Sequence, residues 1–150
     1  MSSALIRPLA LCLLRRSGSI LVNEAHDHVK NERFCRPIGG GIEFGESSAD
    51  AAVREIREEL NAEVTNLQFV GTLENLFTYN GSPGHEIVLI YDGEFLDRSL
   101  YQREFIPGVE SNGDSFRAYW RGIDSFSSAL PLYPHGLLEL LRSGGQQGAP

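Results

Sequence analysis

The sequence predicts a single α+β domain, on three observations. The chain has 150 residues, which is long enough for one domain to bury a core of its own. Several runs rich in β-branched and aromatic residues are typical of strands, and they outnumber the segments with helical periodicity. Hydrophobic residues make up 41% of the chain and charged residues 22%, as in folded globular proteins. We therefore predict one domain over residues 1–142 and a disordered tail over residues 143–150.

The first predicted elements are strands, at residues 4–14, 19–25 and 34–38. A tight turn at Ser17-Gly18 is expected to join the first two strands. Residues 23–32 are polar and indicate an exposed loop. The glycine run at residues 39–41 is predicted to break regular structure, because glycine permits backbone angles and close approaches that a side chain forbids.

A helix is predicted directly after the glycine run. Ser47 has the side chain of an N-cap, with Asp50 three residues later. Asn61 is expected to end the helix, since asparagine tolerates the left-handed conformation found there. At about 100° per residue, one stripe of apolar positions faces the core: Ala49, Ala52, Val53, Ile56 and Leu60.

The second half of the chain predicts three more strands, at residues 67–79, 85–96 and 115–123. The segment NGSPG at residues 80–84 is a turn that makes a hairpin of the first two. Residues 97–114 are predicted to be a long, partly charged loop, and such loops are often functional. A short helix at residues 135–142 follows Pro134.

Composition excludes several classes of protein. The net charge of −7 argues against binding to a nucleic-acid polymer, which needs cationic patches. An anionic substrate would then need local positive charge, and a bound metal is the obvious source. The apolar run near the N-terminus is short and ends at Arg15 and Arg16, so neither a signal peptide nor a membrane span is predicted. Cys12 and Cys35 indicate buried, reduced thiols in a cytoplasmic protein.

The predicted helix carries an unusual acidic face. Glu55, Glu58 and Glu59 lie three and four residues apart and therefore share one side of the helix. Like charges at this spacing destabilise a helix by roughly 0.2–0.5 kcal/mol per pair. Arg54 offsets part of that repulsion, because it lies four residues before Glu58. Taken alone, the face is better interpreted as a solvated surface with ion pairs, because charge runs usually are solvated.

The spacing to the glycine run points to a more specific interpretation. Counting from Gly40, five residues precede Glu46, and seven more precede the segment REIREELNA that begins at Arg54. This arrangement closely resembles the Nudix box, G-x5-E-x7-R-E-U-x-E-E-x-G-U, where U is aliphatic. The resemblance covers residues 40–62. The one fixed position that differs is Asn61, where the family usually has glycine. A motif with this many fixed positions is a strong signal.

The resemblance implies a fold, an activity and a cofactor. The Nudix fold is a mixed β-sheet sandwiched between α-helices. Its activity is hydrolysis of a nucleoside diphosphate linked to another group X, with Mg²⁺ that Mn²⁺ can replace. The implied metal ligands are Glu55, Glu58, Glu59 and the carbonyl of Gly39. Arg54 would orient a glutamate through a salt bridge, and Gly40 and Glu46 would support the box.

Two further sets of candidates lie outside the box. Nudix members often take an extra carboxylate from a late loop, and Glu110 is the preferred choice over Glu104 and Asp114. The alternative, a solvated loop acid, remains equally open. Phe77 and Tyr79 are candidates to stack on a nucleobase, although aromatic residues also occur in the cores of strands.

The substrate stays open at this level. Nucleoside triphosphates, dinucleoside polyphosphates and nucleotide sugars all fit the resemblance, and the SQPWPFP segment of NADH-cleaving members is not evident. We expect a nucleotide-type small molecule as partner, and a monomer or a homodimer. The alternative function is a catalytically silent Nudix-like module that binds a nucleotide and regulates a partner.

Overall fold

The computed structural model describes residues 4–147. Its strands are β1 (Ile6–Arg16), β2 (Ser19–Asp27), β3 (Glu32–Gly41), β4 (Val64–Tyr79), β5 (Ser82–Phe95), β6 (Phe105–Val109) and β7 (Ser115–Gly122). Its helices are α1 (Ser48–Leu60) and α2 (Leu137–Gln147), and short 3-10 helices lie at Arg98–Gln102 and Ile123–Ser125. The α+β prediction is confirmed.

The strands form one mixed sheet with the order β4-β5-β1-β3-β2-β7-β6. Strands β1 and β5 are parallel, and the other pairs are antiparallel. Alternate residues of a strand point to opposite sides of a sheet. Accordingly, Ala10 and Cys12 of β1 pack with α1, whereas Leu9 and Leu11 pack with α2. The predicted sheet between helices is confirmed.

Two tight turns set the register of the hairpins. Ser17 and Gly18 have φ of 47° and 82°, and Asn80 and Gly81 have φ of 50° and 83°. Two consecutive positive φ angles are typical of the type I′ turn, which matches the twist of the flanking strands. The turn at Ser17-Gly18 is therefore confirmed. The second turn is shorter than predicted, because Tyr79 already pairs with Ser82.

The glycine run does not break regular structure, and that prediction was wrong. Residues Gly39–Gly41 belong to β3 and pair with β1. A Cβ on Gly39 would lie 2.1 Å from the backbone oxygen of Ala10. A Cβ on Gly40 would lie 2.5 Å from the side-chain Cδ of Glu55. Glycine is therefore needed here for close packing against β1 and α1, and not for an unusual backbone angle.

The long loop predicted at residues 97–114 also differs from the structure. It contains a 3-10 helix and the strand β6, which pairs with β7. Pro107 and Gly108 concealed the strand, since both residues are depleted in strands. Proline is nevertheless tolerated on an edge strand, and β6 is the last strand of the sheet.

The C-terminal helix extends into the segment predicted as a tail. Helix α2 begins at Leu137 and continues to Gln147, past the predicted end at residue 142. Leu137 and Leu141 are buried against the sheet and anchor its first turns. Residues 148–150 of the predicted tail lie outside the described residues. Across the described part of the chain, neither helix combines the length and the apolar composition that crossing a bilayer requires.

Candidate active site

Helix α1 presents the acidic face because of where it begins and what it buries. The Ser47 hydroxyl accepts a hydrogen bond from the Asp50 backbone N–H at 3.1 Å. At the other end, Asn61 adopts the left-handed conformation with φ of 53°. Both caps agree with the prediction. The buried side chains are Ala51, Ala52, Ile56 and Leu60. They hold one side of α1 on the sheet, so the charged side faces away from the core.

Arg54 and Glu46 form an ion pair whose side chains are only 20% and 17% exposed. The guanidinium donates to both oxygens of Glu46, with Nε–Oε2 at 2.7 Å and Nη2–Oε1 at 2.9 Å. It also donates to the backbone oxygen of Gly41 at 2.8 Å. The Arg54 hydrogen bonds and the Glu43 backbone N–H hold the pKa of Glu46 below its usual value. The pair therefore fastens the loop before α1 to the helix and to β3.

The same guanidinium contacts two glutamates of the acidic face. Its Nη1 donates to Glu55 at 3.0 Å and to Glu58 at 3.1 Å. The two acids differ in exposure, because the Glu55 side chain is 13% exposed and that of Glu58 is 59% exposed. Arg54 thus orients a nearly buried carboxylate, as the resemblance implied, and holds a second one at the surface.

Glu55 and Glu59 form a close acidic pair. Burial, the charge of Glu55, a hydrogen bond with Glu55 and the charge of Glu110 raise the pKa of Glu59 to about 8. Arg36 acts in the opposite direction, but it does not compensate. Two carboxylates so close resist carrying two negative charges. A cation between them would relieve this repulsion.

The pair opens into a cavity of about 750 Å³, which we name the acidic cavity. Gly39, Gly40, Glu55, Glu59 and Glu110 line it. Glu58 does not. It lines a separate surface depression with Pro107 and Arg117 on the other side of Glu59. Of the predicted catalytic and metal-binding residues, the structure therefore brings all but Glu58 to this cavity, and Glu58 projects next to it.

The three late-loop candidates differ in whether they reach the acidic cavity. Glu110 follows β6 and lines the acidic cavity, where its charge contributes to the raised pKa of Glu59. Asp114 lies in a turn, with its backbone oxygen bonded to the Glu110 N–H at 2.8 Å and its backbone N–H to Asn112. Glu104 is exposed just before β6. Only Glu110 of the three lines the acidic cavity.

A second cavity of about 400 Å³, the aromatic cavity, adjoins the first. Its aromatic lining residues are Phe34, Phe77, Tyr79, Tyr133 and His135. The Phe34 ring lies edge-on to Tyr79 at 5.8 Å and tilted to Tyr133 at 5.2 Å. Phe77 lies against Gly84, where a Cβ would come within 2.3 Å of the ring. Both aromatic candidates from the sequence thus lie in one cavity next to the glutamates.

Five residues line both cavities, and the sequence had indicated only one of them, Glu110. The four that it did not indicate are Arg7, Asn23, Arg36 and Glu86. Arg7 and Arg36 supply the local positive charge that an anionic substrate needs. A weak signal was present, because Arg36 interrupts an otherwise apolar strand just before the glycine run. Nothing in the sequence indicated that strands β1, β2 and β5 would meet at this point.

The whole arrangement matches a known family. The family model described as NUDIX domain matches residues 5–137. The chain belongs to the Nudix family. Its acidic cavity is built around the Nudix box, from the glycine-rich end of β3 to the left-handed cap of α1.

Curated relatives of this Nudix chain include proteins named NAD-capped RNA hydrolase NudC. The protein from Pseudomonas aeruginosa (strain LESB58) is 27% identical over 129 residues, which are 86% of this chain and 39% of that protein. The protein from Pseudomonas putida (strain W619) is 39% identical over 67 residues, which are 45% of this chain and 24% of that protein. The Nudix chain therefore spans well under half the length of these relatives.

Solved structures support the Nudix fold. A NUDIX hydrolase from Nitrosomonas europaea has a TM-score of 0.65 at 17% identity, over 96% of this chain and 90% of that one. A MutT NUDIX hydrolase from Burkholderia pseudomallei has a TM-score of 0.64 at 19% identity, over 92% of this chain and 97% of that one. A structure described as an ADP compounds hydrolase also has a TM-score of 0.64, at 15% identity, over 97% and 76%.

Nudix enzymes generally use a divalent metal, and the donors of this chain fit one. Hard cations prefer oxygen ligands, and Glu55 and Glu59 offer two adjacent carboxylates with an excess of negative charge. Among residues 4–147, however, no three acid, histidine or cysteine side chains converge on one point. The reason is visible in Glu58, which Arg54 holds at the surface. Glu55 and Glu59 are therefore the best-placed ligands in this conformation.

Proposed function

We propose that the chain is a metal-dependent pyrophosphohydrolase that cleaves a nucleoside diphosphate linked to another group X. The observation that carries the proposal is the close Glu55–Glu59 pair, in a cavity that also contains Arg7 and Arg36. Two carboxylates suit a divalent cation, and two guanidinium groups suit phosphate oxygens. A pyrophosphate is thereby neutralised from both sides, which removes its own repulsion of an attacking water.

Five residues of the site have a defined part in this proposal. Glu55 and Glu59 would hold the cation, which would supply positive charge to phosphate oxygens and make a nearby water easier to deprotonate. Arg54 keeps Glu55 in place through its 3.0 Å contact. Arg36, which lines the same cavity, neutralises phosphate charge. The Glu110 carboxylate accepts the proton of the attacking water, whose oxygen bonds to phosphorus while the anhydride P–O bond breaks.

The aromatic cavity supports a nucleotide as the substrate. A nucleobase can stack on Phe77 or Tyr79 while its phosphates reach the acidic cavity through the shared residues. Nucleoside triphosphates, dinucleoside polyphosphates and nucleotide sugars all have this layout. The names of the curated relatives add NAD-capped RNA to the substrates worth testing.

The test is a substrate screen with purified protein and Mg²⁺. It includes the substrate classes above, with ADP-ribose, and measures the release of phosphate or nucleoside monophosphate. We expect at least one pyrophosphate to be cleaved, full loss of turnover in excess chelator, and recovery on adding Mg²⁺ or Mn²⁺. Undiminished hydrolysis in excess chelator would contradict the metal-dependent mechanism.

One observation favours the second function, a silent nucleotide-binding module. Glu58 is drawn to Arg54, which leaves two of the three box glutamates in the acidic cavity. A module of this kind would bind nucleotides without releasing product. Equilibrium binding of the same compounds, together with no product in the screen, would support this alternative and exclude the enzyme.

A further inference from the structure

Two buried side chains between the two cavities have an acceptor atom without a donor. Glu86 of β5 is 4% exposed and Asn75 of β4 is 6% exposed. Among the described residues, Oε1 of Glu86 and Oδ1 of Asn75 have no hydrogen-bond partner. A buried acceptor without a donor is disfavoured, and such groups in folded proteins usually have a reason to be there. These two therefore need an explanation that the Nudix box does not supply.

The two acceptors form one local site. Asn75 and Glu86 are directly opposite each other on the paired strands β4 and β5. Side chains at such positions have Cβ atoms about 5 Å apart. Arg7 lies at 3.8 Å from the other Glu86 oxygen, Oε2, and this ion pair leaves Oε1 available. Two neighbouring acceptors are suited to a ligand with two neighbouring donors.

The position of the site indicates which part of a nucleotide it would meet. Glu86 lines both the acidic and the aromatic cavity, whereas Asn75 lines only the aromatic one. In a nucleotide, the sugar is the group between the phosphates and the base. With phosphates at Glu55 and Glu59 and the base at the aromatic residues, the sugar lies beside Glu86.

We propose that Glu86 and Asn75 form a ribose-recognition site, in which Oε1 of Glu86 and Oδ1 of Asn75 accept hydrogen bonds from the 2′- and 3′-hydroxyls. The site selects ribonucleotides over 2′-deoxyribonucleotides, because a deoxyribose leaves one buried acceptor unpaired. This inference rests on the proposed function for the placement of the phosphates and the base.

The first test compares matched ribo- and 2′-deoxyribonucleotides. For wild type, we expect kcat/KM to favour the ribonucleotide form of the best substrate by about 10- to 100-fold. A binding measurement independent of turnover uses the four common ribonucleoside monophosphates and their 2′-deoxy counterparts, by calorimetry. The ribo member of the best-bound pair should bind more tightly by a similar factor. Equal values for both members of every pair, including no measurable binding, overturn the inference.

The variants Glu86→Leu and Asn75→Leu then assign the discrimination to these side chains. Each removes the acceptor and keeps a similar volume, so thermal melts should show folded protein. In the variant that lacks the acceptor of the 2′-hydroxyl, we expect the preference for ribose to fall below about 3-fold, through a loss confined largely to the ribonucleotide. The variant that lacks the acceptor of the 3′-hydroxyl should lose activity on both sugars, because a 2′-deoxyribonucleotide keeps that hydroxyl. The control is Glu74→Gln, an exposed acid beside Asn75 that pairs with His85. It should keep the wild-type preference.

The outcomes separate this inference from the proposed function. Wild type that cleaves no pyrophosphate refutes the proposed function, whereas cleavage without ribose preference refutes only the ribose site. An equal loss on both sugars in both Glu86→Leu and Asn75→Leu would show a structural or catalytic role and overturn the assignment. A preference that follows the base and not the sugar would also overturn it, since the acceptors would then contact the base.

Discussion

Two carboxylates of the Nudix box, one before and one after Arg54 in the sequence, have opposite electrostatic surroundings. Glu46 accepts two hydrogen bonds from the guanidinium and one from the Glu43 backbone, and its pKa lies below the usual value. Glu59 has no comparable partner among the described residues, and burial beside Glu55 raises its pKa to about 8. Both acids belong to the same sequence motif. Their chemistry nevertheless differs because one is neutralised by the protein and the other is not.

This difference separates a structural ion pair from a binding site. A paired carboxylate lowers the energy of the folded chain and has little affinity left for a cation. An acidic pair whose charge is only partly compensated destabilises the metal-free fold and gains stability when a cation binds. We therefore interpret the Arg54–Glu46 pair as a support for the loop before α1. We interpret Glu55 and Glu59 as the groups that act on a ligand.

The largest expected effect is that of Glu59→Gln on catalysis. The substitution keeps the volume and removes one anionic ligand, so turnover should fall by orders of magnitude. The metal-free protein should melt at the wild-type temperature or above, because repulsion with Glu55 is relieved. The measurements are hydrolysis rate at saturating Mg²⁺ and melting temperature in chelator.

The matched control for this variant is Glu63→Gln, just beyond the box. Glu63 pairs with Arg57 at the surface, with Nε–Oε2 at 2.6 Å. We expect this control to keep its activity and to change stability only slightly, as exposed pairs do. Near wild-type turnover in Glu59→Gln would reverse the comparison and reopen the binding-module interpretation.

Removal of the guanidinium should affect stability more than removal of any single acid. Arg54→Met leaves Glu46 and Glu55 without their donor, and we expect a loss of about 3 kcal/mol in the free energy of unfolding. Activity should fall as well, because Glu55 is no longer oriented. Chemical denaturation provides the measurement. Arg57→Met is the control on the same helix, and its loss of stability should be much smaller because the Arg57–Glu63 pair is exposed. Equal losses in both variants would show that the Arg54 contacts contribute no special stability.

The two acids should also give opposite pH dependences of stability. Glu46 has a lowered pKa, so its contribution is full above the ordinary value of 4.5 and is lost in more acidic solution. Glu46→Gln should therefore be destabilised at neutral pH, with a difference from wild type that shrinks in acid. The pKa of Glu59 is raised from 4.5 to about 8, so the metal-free fold retains a proton that the unfolded chain releases. Its stability falls as pH rises through that window.

Glu59→Gln should remove this loss. The free energy of unfolding of the variant should equal that of wild type near pH 4.5 and exceed it at pH 8.5 by about 2 kcal/mol. This figure takes into account that Glu59 is partly solvated. Unfolding by denaturant in excess chelator, at several pH values, measures both variants against wild type. The same sign of pH dependence in Glu46→Gln and Glu59→Gln would show that the two carboxylates do not differ as described.

The parts of the site that the sequence predicted are those set by local structure. The cap at Ser47, the end at Asn61 and the acidic face depend on the spacing along one helix, so they could be predicted from the segment alone. The glycine run was predicted incorrectly as a break. Its true constraint is the approach of Gly40 to Glu55 and of Gly39 to β1, which is tertiary.

The parts that the sequence could not predict come from strands far apart in the chain. Arg7, Arg36 and Glu86 lie on β1, β3 and β5, and each looks like an ordinary strand residue by itself. They meet only because β1 pairs with both β3 and β5. Strand β6 could not be predicted for a local reason, because Pro107 and Gly108 are residues that strands usually avoid. Its pairing with β7 is possible because β6 lies at the edge of the sheet.

The smallest effect concerns Asn61, which ends the helix on which Glu55 and Glu59 lie. Its φ of 53° is a conformation that glycine adopts without strain, and the Asn61 N–H is bonded to the Arg57 oxygen in any case. Asn61→Gly should therefore preserve stability or raise it by about 0.5 kcal/mol, and leave activity unchanged. Asn61→Ala should lose about 1 kcal/mol, because a Cβ is strained in this conformation and alanine cannot bond locally as asparagine does. Thermal melts of the three proteins decide between these outcomes. A loss of several degrees in Asn61→Gly would mean that the asparagine side chain holds the acidic end of α1, and that the contrast between Glu46 and Glu59 depends on the helix end as well as on Arg54.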